Sequence, residues 1–176
     1  MNEKTITRRT VYKGRLLQLD VLDVERDNGM TARREVVRHP GAVAVLARLP
    51  GSRFILVRQF RKPLESEILE IVAGCLEAGE RPETCAVREV KEETGYKVRS
   101  LESLGTIWPA PGYSSERLHV FAAMLAPKKG RKQPDEDEDL ETVELGEADM
   151  ERMIARSEIS DAKTLAAWCL WKARKK

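Results

Sequence analysis

The sequence contains no run of about 20 apolar residues, the length a membrane-spanning helix needs, and its start, MNEKTITRRT, lacks the apolar core of a secretory signal. Both lacks lead us to expect a cytoplasmic protein with no membrane partner. A charge excess is also missing: 31 Lys and Arg stand against 29 Asp and Glu, a net charge of +2, too even to single out nucleic acid as a partner. Cysteine is scarce and odd in number. Cys75, Cys85 and Cys169 show neither a CxxC nor a Cys/His ligand spacing, so a zinc site is not indicated. Buried free thiols in a reducing compartment are expected instead. His39 and His119 are the only histidines. Neither has a partner at ligand spacing; His39 before Pro40 suits a turn or packing role, and His119 a sheet face.

What is there is a chain of 176 residues, 41% apolar and 34% charged, enough for one domain with a core and at most a small appendage. LQLDVLDVERDNGMTARREVV alternates apolar and polar residues on both sides of Asn28-Gly29, which predicts a hairpin of two antiparallel strands. GAVAVLARL (41–49) and RFILVRQF (53–60) flank a Pro-Gly-Ser turn and are more continuously apolar, hence more buried strands. SEILEIVAG (66–74) reads as one further strand ending at Gly74. A helix is predicted over 82–94, with Pro82 in its first turn, Cys85, Ala86 and Val90 inward, and Gly95 as its stop. YKVRSLESLGTIW and ERLHVFAAML are strand-like around a PAPGYSS loop; KKGRKQPDEDED (128–139) is an exposed loop; LETVEL is a last strand. Helices at about 147–157 and 160–174 follow, the second capped by Ser160 or Asp161 and carrying Trp168 and Trp171 as core or subunit contacts. This order predicts an α+β or mixed α/β fold, without repeated βαβ units.

The helix over 82–94 carries an oddity. In AVREVKEETGY, Glu89 and Glu92 are spaced i,i+3 and Glu89 and Glu93 i,i+4, so all three carboxylates stack on nearly one face. Like charges at that spacing cost about 0.2–0.5 kcal/mol per pair. Arg88 and Lys91, water, or a bound cation must offset the repulsion.

Widened, the stretch reads G-x5-E-x7-R-E-V-x-E-E-x-G-Y from Gly74, with Glu80, Arg88, Glu89, Val90, Glu92, Glu93, Gly95 and Tyr96 in register. It resembles the signature of the Nudix hydrolases, which cleave a nucleoside diphosphate linked to another moiety; Tyr96 stands where an aliphatic residue is usual, a packing position. The resemblance implies Mg²⁺, with Mn²⁺ as a possible substitute, held by Glu89, Glu93, Glu92 and the Ala73 carbonyl. Chemistry agrees: Mg²⁺ takes oxygen ligands, often one or two carboxylates plus phosphate oxygens, and its charge makes an acidic cluster attractive to a diphosphate. Gly74 lets its strand turn closely, and Arg88 pairs with Glu80 to hold the loop on the helix. Glu92 and Arg88 stand with the catalytic set.

HPGAVAVLA, LVRQFRKPL, ILEIVAG, PAPGYSSERLHVFAA and EDEDLETVEL follow the order of the ADP-ribose pyrophosphatase branch. Val72 departs from it, where many members have Pro, which leaves other nucleoside diphosphate sugars open as substrates. That likeness implies substrate binding by Arg61, with Arg58 beside it, although either also suits a surface charge on a strand. Pro111, Gly112 and Glu116 join the substrate set, and Trp108 is placed to stack on a base. The PDEDED loop resembles the one that supplies a catalytic carboxylate in that branch, which implies Glu136 first and Glu138 second as the base that deprotonates the attacking water, although either also suits a solvated acidic loop. The implied architecture is a Nudix α/β/α sandwich (39–176) with an antiparallel β appendage (1–38) exchanged in a homodimer. The implied reaction is Mg²⁺-dependent hydrolysis of ADP-ribose to AMP and ribose 5-phosphate. Hydrolysis of GDP-mannose or UDP-glucose, a non-catalytic nucleotide-sensing module, and an interaction domain with a merely solvated helix face are the rivals.

Overall fold

The computed structural model describes residues 2–130 and 139–175, in two compact units. The first unit joins residues 1–41 to 108–118. Strands β1 (Glu3–Lys13), β2 (Gln18–Arg26) and β3 (Thr31–Arg38) form an antiparallel sheet in the order β1-β2-β3. The β2–β3 hairpin turns at Asn28-Gly29 as expected: Gly29 adopts φ +76°, a left-handed conformation that glycine takes without a Cβ penalty, and its N–H donates to the Arg26 carbonyl at 2.8 Å. β1 is an addition to the two expected strands. All eleven of its residues are exposed, so no buried face imposes an apolar alternation on its sequence.

Polar chemistry holds this sheet together. Asp20 on β2 is fully buried and accepts hydrogen bonds from Thr10 Oγ1 (2.8 Å), Gln18 Nε2 (2.6 Å) and Arg38 Nε (3.0 Å), with Arg8 Nη2 at 2.7 Å. Burial by itself would raise the Asp20 pKa; the bonds from Gln18, Thr10 and Arg38 and the charge of Arg8 overcome it and bring it down to about 2. Residues 108–118 join β3 through backbone bonds, Val37 N–H to the Tyr113 carbonyl (2.8 Å) and Ser115 N–H to the Val37 carbonyl (2.9 Å).

The second unit, 42–107 with 119–176, is built on a seven-stranded sheet. Its path is β10 (Leu140–Gly146), β5 (Arg53–Arg61), β4 (Ala42–Leu49), β9 (Leu118–Lys129), β8 (Tyr96–Ile107); β6 (Ser66–Glu70) pairs with β5, and β7 (Val72–Cys75) with β4. Three helices complete it: α1 (Pro82–Thr94), α2 (Glu147–Ala155) and α3 (Ala162–Arg174). β4 is buried along its length except for a partly buried Arg48, because both faces are covered. Val43, Val45 and Ala47 join Ile55, Val57, Cys85, Ala86 and Val90 in one core layer under α1. On the other face Phe54 meets Trp168 and Trp171 of α3 edge-on, with both ring centroids 5.1 Å away, a favoured aromatic geometry. The result is the expected α/β/α sandwich.

Two details differ from expectation. The segment 66–74 is two strands, because the Ile71 N–H leaves the ladder and donates to Thr164 Oγ1 at 3.0 Å; the chain thereby passes from β5 to β4. Of the thiols expected to be buried, only Cys85 is; Cys75 is partly buried and Cys169 lies on the exposed side of α3. The capping alternative resolves to Asp161, whose Oδ2 accepts from the Thr164 N–H at 2.9 Å. Among the described residues no helix is long and apolar enough to cross a membrane.

Candidate active site

α1 begins at Pro82, where a missing N–H costs nothing, and ends at Gly95, whose φ of +77° lets its N–H cap the Lys91 carbonyl at 2.9 Å. Cys85, Ala86 and Val90 anchor one side of the helix in the core. That fixes the rotation of the acidic face. Glu93 is brought almost wholly inside, at 4% exposure, the Glu89 side chain retains 12%, and that of Glu92 is a third exposed.

Arg88 sits at the centre of this face. Its guanidinium grips Glu80 with two bonds, Nε to Oε1 at 3.0 Å and Nη2 to Oε2 at 2.9 Å. Nη1 donates to Glu89 (2.7 Å) and Glu92 (3.0 Å), and Nη2 also reaches the Cys75 carbonyl at 3.2 Å. One side chain thus ties β7, the loop after it, and two helix carboxylates together. It offsets much of the repulsion between Glu89 and Glu92, a larger share than its expected pairing with Glu80 implied. The Arg88 guanidinium holds the Glu80 carboxyl down at about 2, and Arg88 in turn is raised above its ordinary value, chiefly by Glu80. Burial pushes the Cys85 thiol up to about 12, which removes it as a nucleophile near neutral pH.

Gly74 serves a different purpose from the one expected. It lies in the β4–β7 ladder opposite Val43, outside the left-handed region, and a Cβ placed on it would collide with the Glu89 carboxylate. The glycine makes room for a ligand-type side chain to lie against the strand that also carries Ala73. Among the described residues no three carboxylate, thiol or imidazole groups converge as a ready-made metal cage, Glu89 and Glu92 both being turned to Arg88. A hard cation that takes one or two carboxylates and keeps water and phosphate oxygens for the rest fits this donor set.

Arg61, at the end of β5, donates through Nε to Glu70 Oε1 at 2.7 Å. Glu70 is fully buried, and its other oxygen receives Lys163. Burial disfavours the Arg61 charge, but Glu70 outweighs it and, with Glu93 and Asp161, raises the Arg61 pKa. Glu93 thus acts on Arg61 through its charge, while the contact Arg61 makes is with Glu70. Arg58 instead pairs with exposed Glu141 across β5–β10 at 3.4 Å, a contact worth about 0–1 kcal/mol.

Glu70 and Lys163 escaped the sequence reading; the available signal was a carboxylate inside the apolar run EILEIVAG.

In the first unit, Pro111 and Gly112 are exposed in a turn where the Ala110 carbonyl accepts from Tyr113 N–H (3.2 Å) and Ser114 N–H (2.9 Å). The Glu116 N–H donates to Ser114 Oγ at 3.1 Å, and Trp108 is 57% exposed. His39 Nδ1 accepts from the Gly41 N–H, a turn role, and His119 lies 3.4 Å from the Thr106 hydroxyl across β8 and β9. Glu136 and Glu138 lie outside the described residues.

An acidic helix face packed on a glycine-bearing strand, with an arginine clamping loop to helix, defines the Nudix type of domain. The NUDIX domain model matches residues 37–168, and the chain belongs to that family. It is 44% identical to an ADP-ribose pyrophosphatase of Bacillus subtilis (strain 168), over 95% of this chain and 91% of that one. Identity is 43% to a methanol dehydrogenase activator of Bacillus methanolicus, over 94% and 90% of the two chains. A GDP-mannose pyrophosphatase of Yersinia enterocolitica is 37% identical over 81% and 80%. The crystal structure of an ADP compounds hydrolase superposes with a TM-score of 0.85 at 26% identity, covering 98% of this chain and 94% of that one.

Proposed function

We propose that the protein hydrolyses the diphosphate linkage of ADP-ribose, giving AMP and ribose 5-phosphate, with Mg²⁺ or, as a substitute, Mn²⁺. The observation that carries this is the Glu89 carboxylate lying where a Gly74 Cβ would be, beside a buried Glu93: space and burial are both given to carboxylates that oxygen-seeking cations prefer. Similarity to a pyrophosphatase acting on ADP-ribose supports the substrate.

A bound divalent cation supplies charge for the diphosphate oxygens and a more acidic water. Glu89, Glu93, Glu92 and the Ala73 carbonyl are the groups to hold it. Arg88 keeps Glu89 and Glu92 from swinging away and fixes the loop through Glu80. Arg61, with Arg58 assisting, binds the diphosphate, for which a guanidinium's planar donors are suited. Pro111, Gly112 and Glu116 keep the substrate-binding role that the resemblance gives them. Glu136, or Glu138 in its place, takes the proton of the attacking water.

We also assign residues 1–38 to a β appendage, exchanged within a homodimer, and residues 39–176 to the Nudix domain. Ile6, Val11 and Tyr12 are exposed on β1, and such apolar groups, which a second copy of the chain would cover, support an interface there. The even charge and the odd number of cysteines support a cytoplasmic setting. Products formed from ADP-ribose, GDP-mannose, UDP-glucose and NAD⁺, with and without Mg²⁺, test the assignment. AMP from ADP-ribose as the fastest metal-dependent reaction is expected. Faster turnover of a GDP- or UDP-sugar would transfer the assignment to that substrate, and no turnover of any of them would favour a sensing module.

A further inference from the structure

The Arg88–Glu80 and Arg61–Glu70 pairs of the second unit, both partly buried, are built differently. Arg88 grips Glu80 with two parallel bonds and spends Nη1 on Glu89 and Glu92, the bidentate form that suits a structural clamp. Arg61 is held on Glu70 through Nε alone, and among the described residues its Nη1 and Nη2 make no hydrogen bond. Those two nitrogens are the fork that matches a phosphate. The single-point contact is enforced from behind: the second Glu70 oxygen is taken by Lys163, which also donates to Asp161 Oδ1 at 3.0 Å. Asp161 caps α3 and binds Thr164, and Thr164 holds the Ile71 backbone next to Glu70. The start of α3 is thereby linked to Arg61 at the end of β5. An ion cluster around a buried carboxylate such as Glu70 is weak evidence for stability, because apolar replacements of similar volume are often as stable; its gain lies in orientation.

We propose that Glu70, itself fixed by Lys163, is a positioning residue that aims the free fork of Arg61 at the diphosphate of the substrate. The proposal rests on the assigned pyrophosphatase function. Holding a binding group by a rigid supporting shell matters because a misplacement of about 1 Å costs up to about 100-fold in rate.

A double-mutant cycle of Glu70→Gln and Arg61→Ala tests it, read as KM and kcat for ADP-ribose and as Kd for its non-hydrolysable α,β-methylene analogue with Mg²⁺. Glu70→Gln should raise KM and Kd about tenfold, equivalent to about 1.4 kcal/mol, with kcat changed by less than about twofold. In the Arg61→Ala background the same substitution should change neither constant, since coupled residues are non-additive. An equal effect in both backgrounds, or a fall in kcat and melting temperature with KM unchanged, overturns the proposal. Should Glu70→Gln fail to fold, Lys163→Met replaces it in the cycle, with a rise of about threefold expected on the same logic. A protein that binds the analogue yet hydrolyses nothing contradicts the assigned function, while the Kd cycle still decides the role of Glu70. Unchanged constants in Arg61→Ala, or no analogue binding at all, overturn the positioning role.

Discussion

At Gly74 a hydrogen stands where any other residue would put a methyl group into the Glu89 carboxylate. Gly74→Ala should therefore cut activity at least tenfold, on the scale of about 1.4 kcal/mol of displaced ligand geometry, while circular dichroism shows an intact fold. A turn-type glycine would instead lose stability first. Glu80 gives a pH prediction. Its folded pKa, held near 2 by Arg88, is below the ordinary 4.5, so folding releases its proton more readily than the unfolded chain does. The resulting stability is fully present above pH 4.5 and is lost as pH falls towards 2. Wild type should lose more stability than Glu80→Gln over that window in denaturant titrations; parallel losses would contradict the Arg88 clamp. The residue types at the acidic face were legible because register fixed them. Glu70 and Lys163 were not: they are 93 positions apart, and only the fold brings them together.

Elements were legible wherever one face is buried and the other is not. α1 runs from Pro82 to Thr94 as expected, since proline and glycine chemistry sets both its ends. β1 was not legible, because none of its residues is buried, and the break at Ile71 was not, because it depends on a hydroxyl from α3. That helix start is a testable unit. Asp161 caps the backbone, binds Thr164 and braces Lys163. Asp161→Ala should cost about 1–2 kcal/mol, the upper part of the range for a lost cap, and lower the melting temperature by several degrees, about 2–4 °C per kcal/mol for a chain of this size. A smaller KM effect than that of Glu70→Gln should accompany it, because Lys163 retains Glu70.

For the whole molecule, the α/β/α layering of the second unit followed from two strands apolar on both faces, and the first unit is a small sheet held by the polar network around Asp20. Three-stranded sheets with little apolar burial need packing to be independently stable. Light scattering should report a dimer, and Val11→Glu with Tyr12→Glu on β1 should shift it to monomer; a monomeric wild type would contradict the exchanged appendage while leaving the site chemistry in place. The central claim is that the acidic face of α1 is a metal-dependent hydrolytic site, and AMP release from ADP-ribose, with and without Mg²⁺, in wild type and Glu93→Gln, tests it most directly. The account predicts metal-dependent AMP in wild type and a fall of at least about 100-fold in Glu93→Gln, with the melting temperature unchanged or raised. AMP formed equally without metal, or equally by the variant, would contradict it.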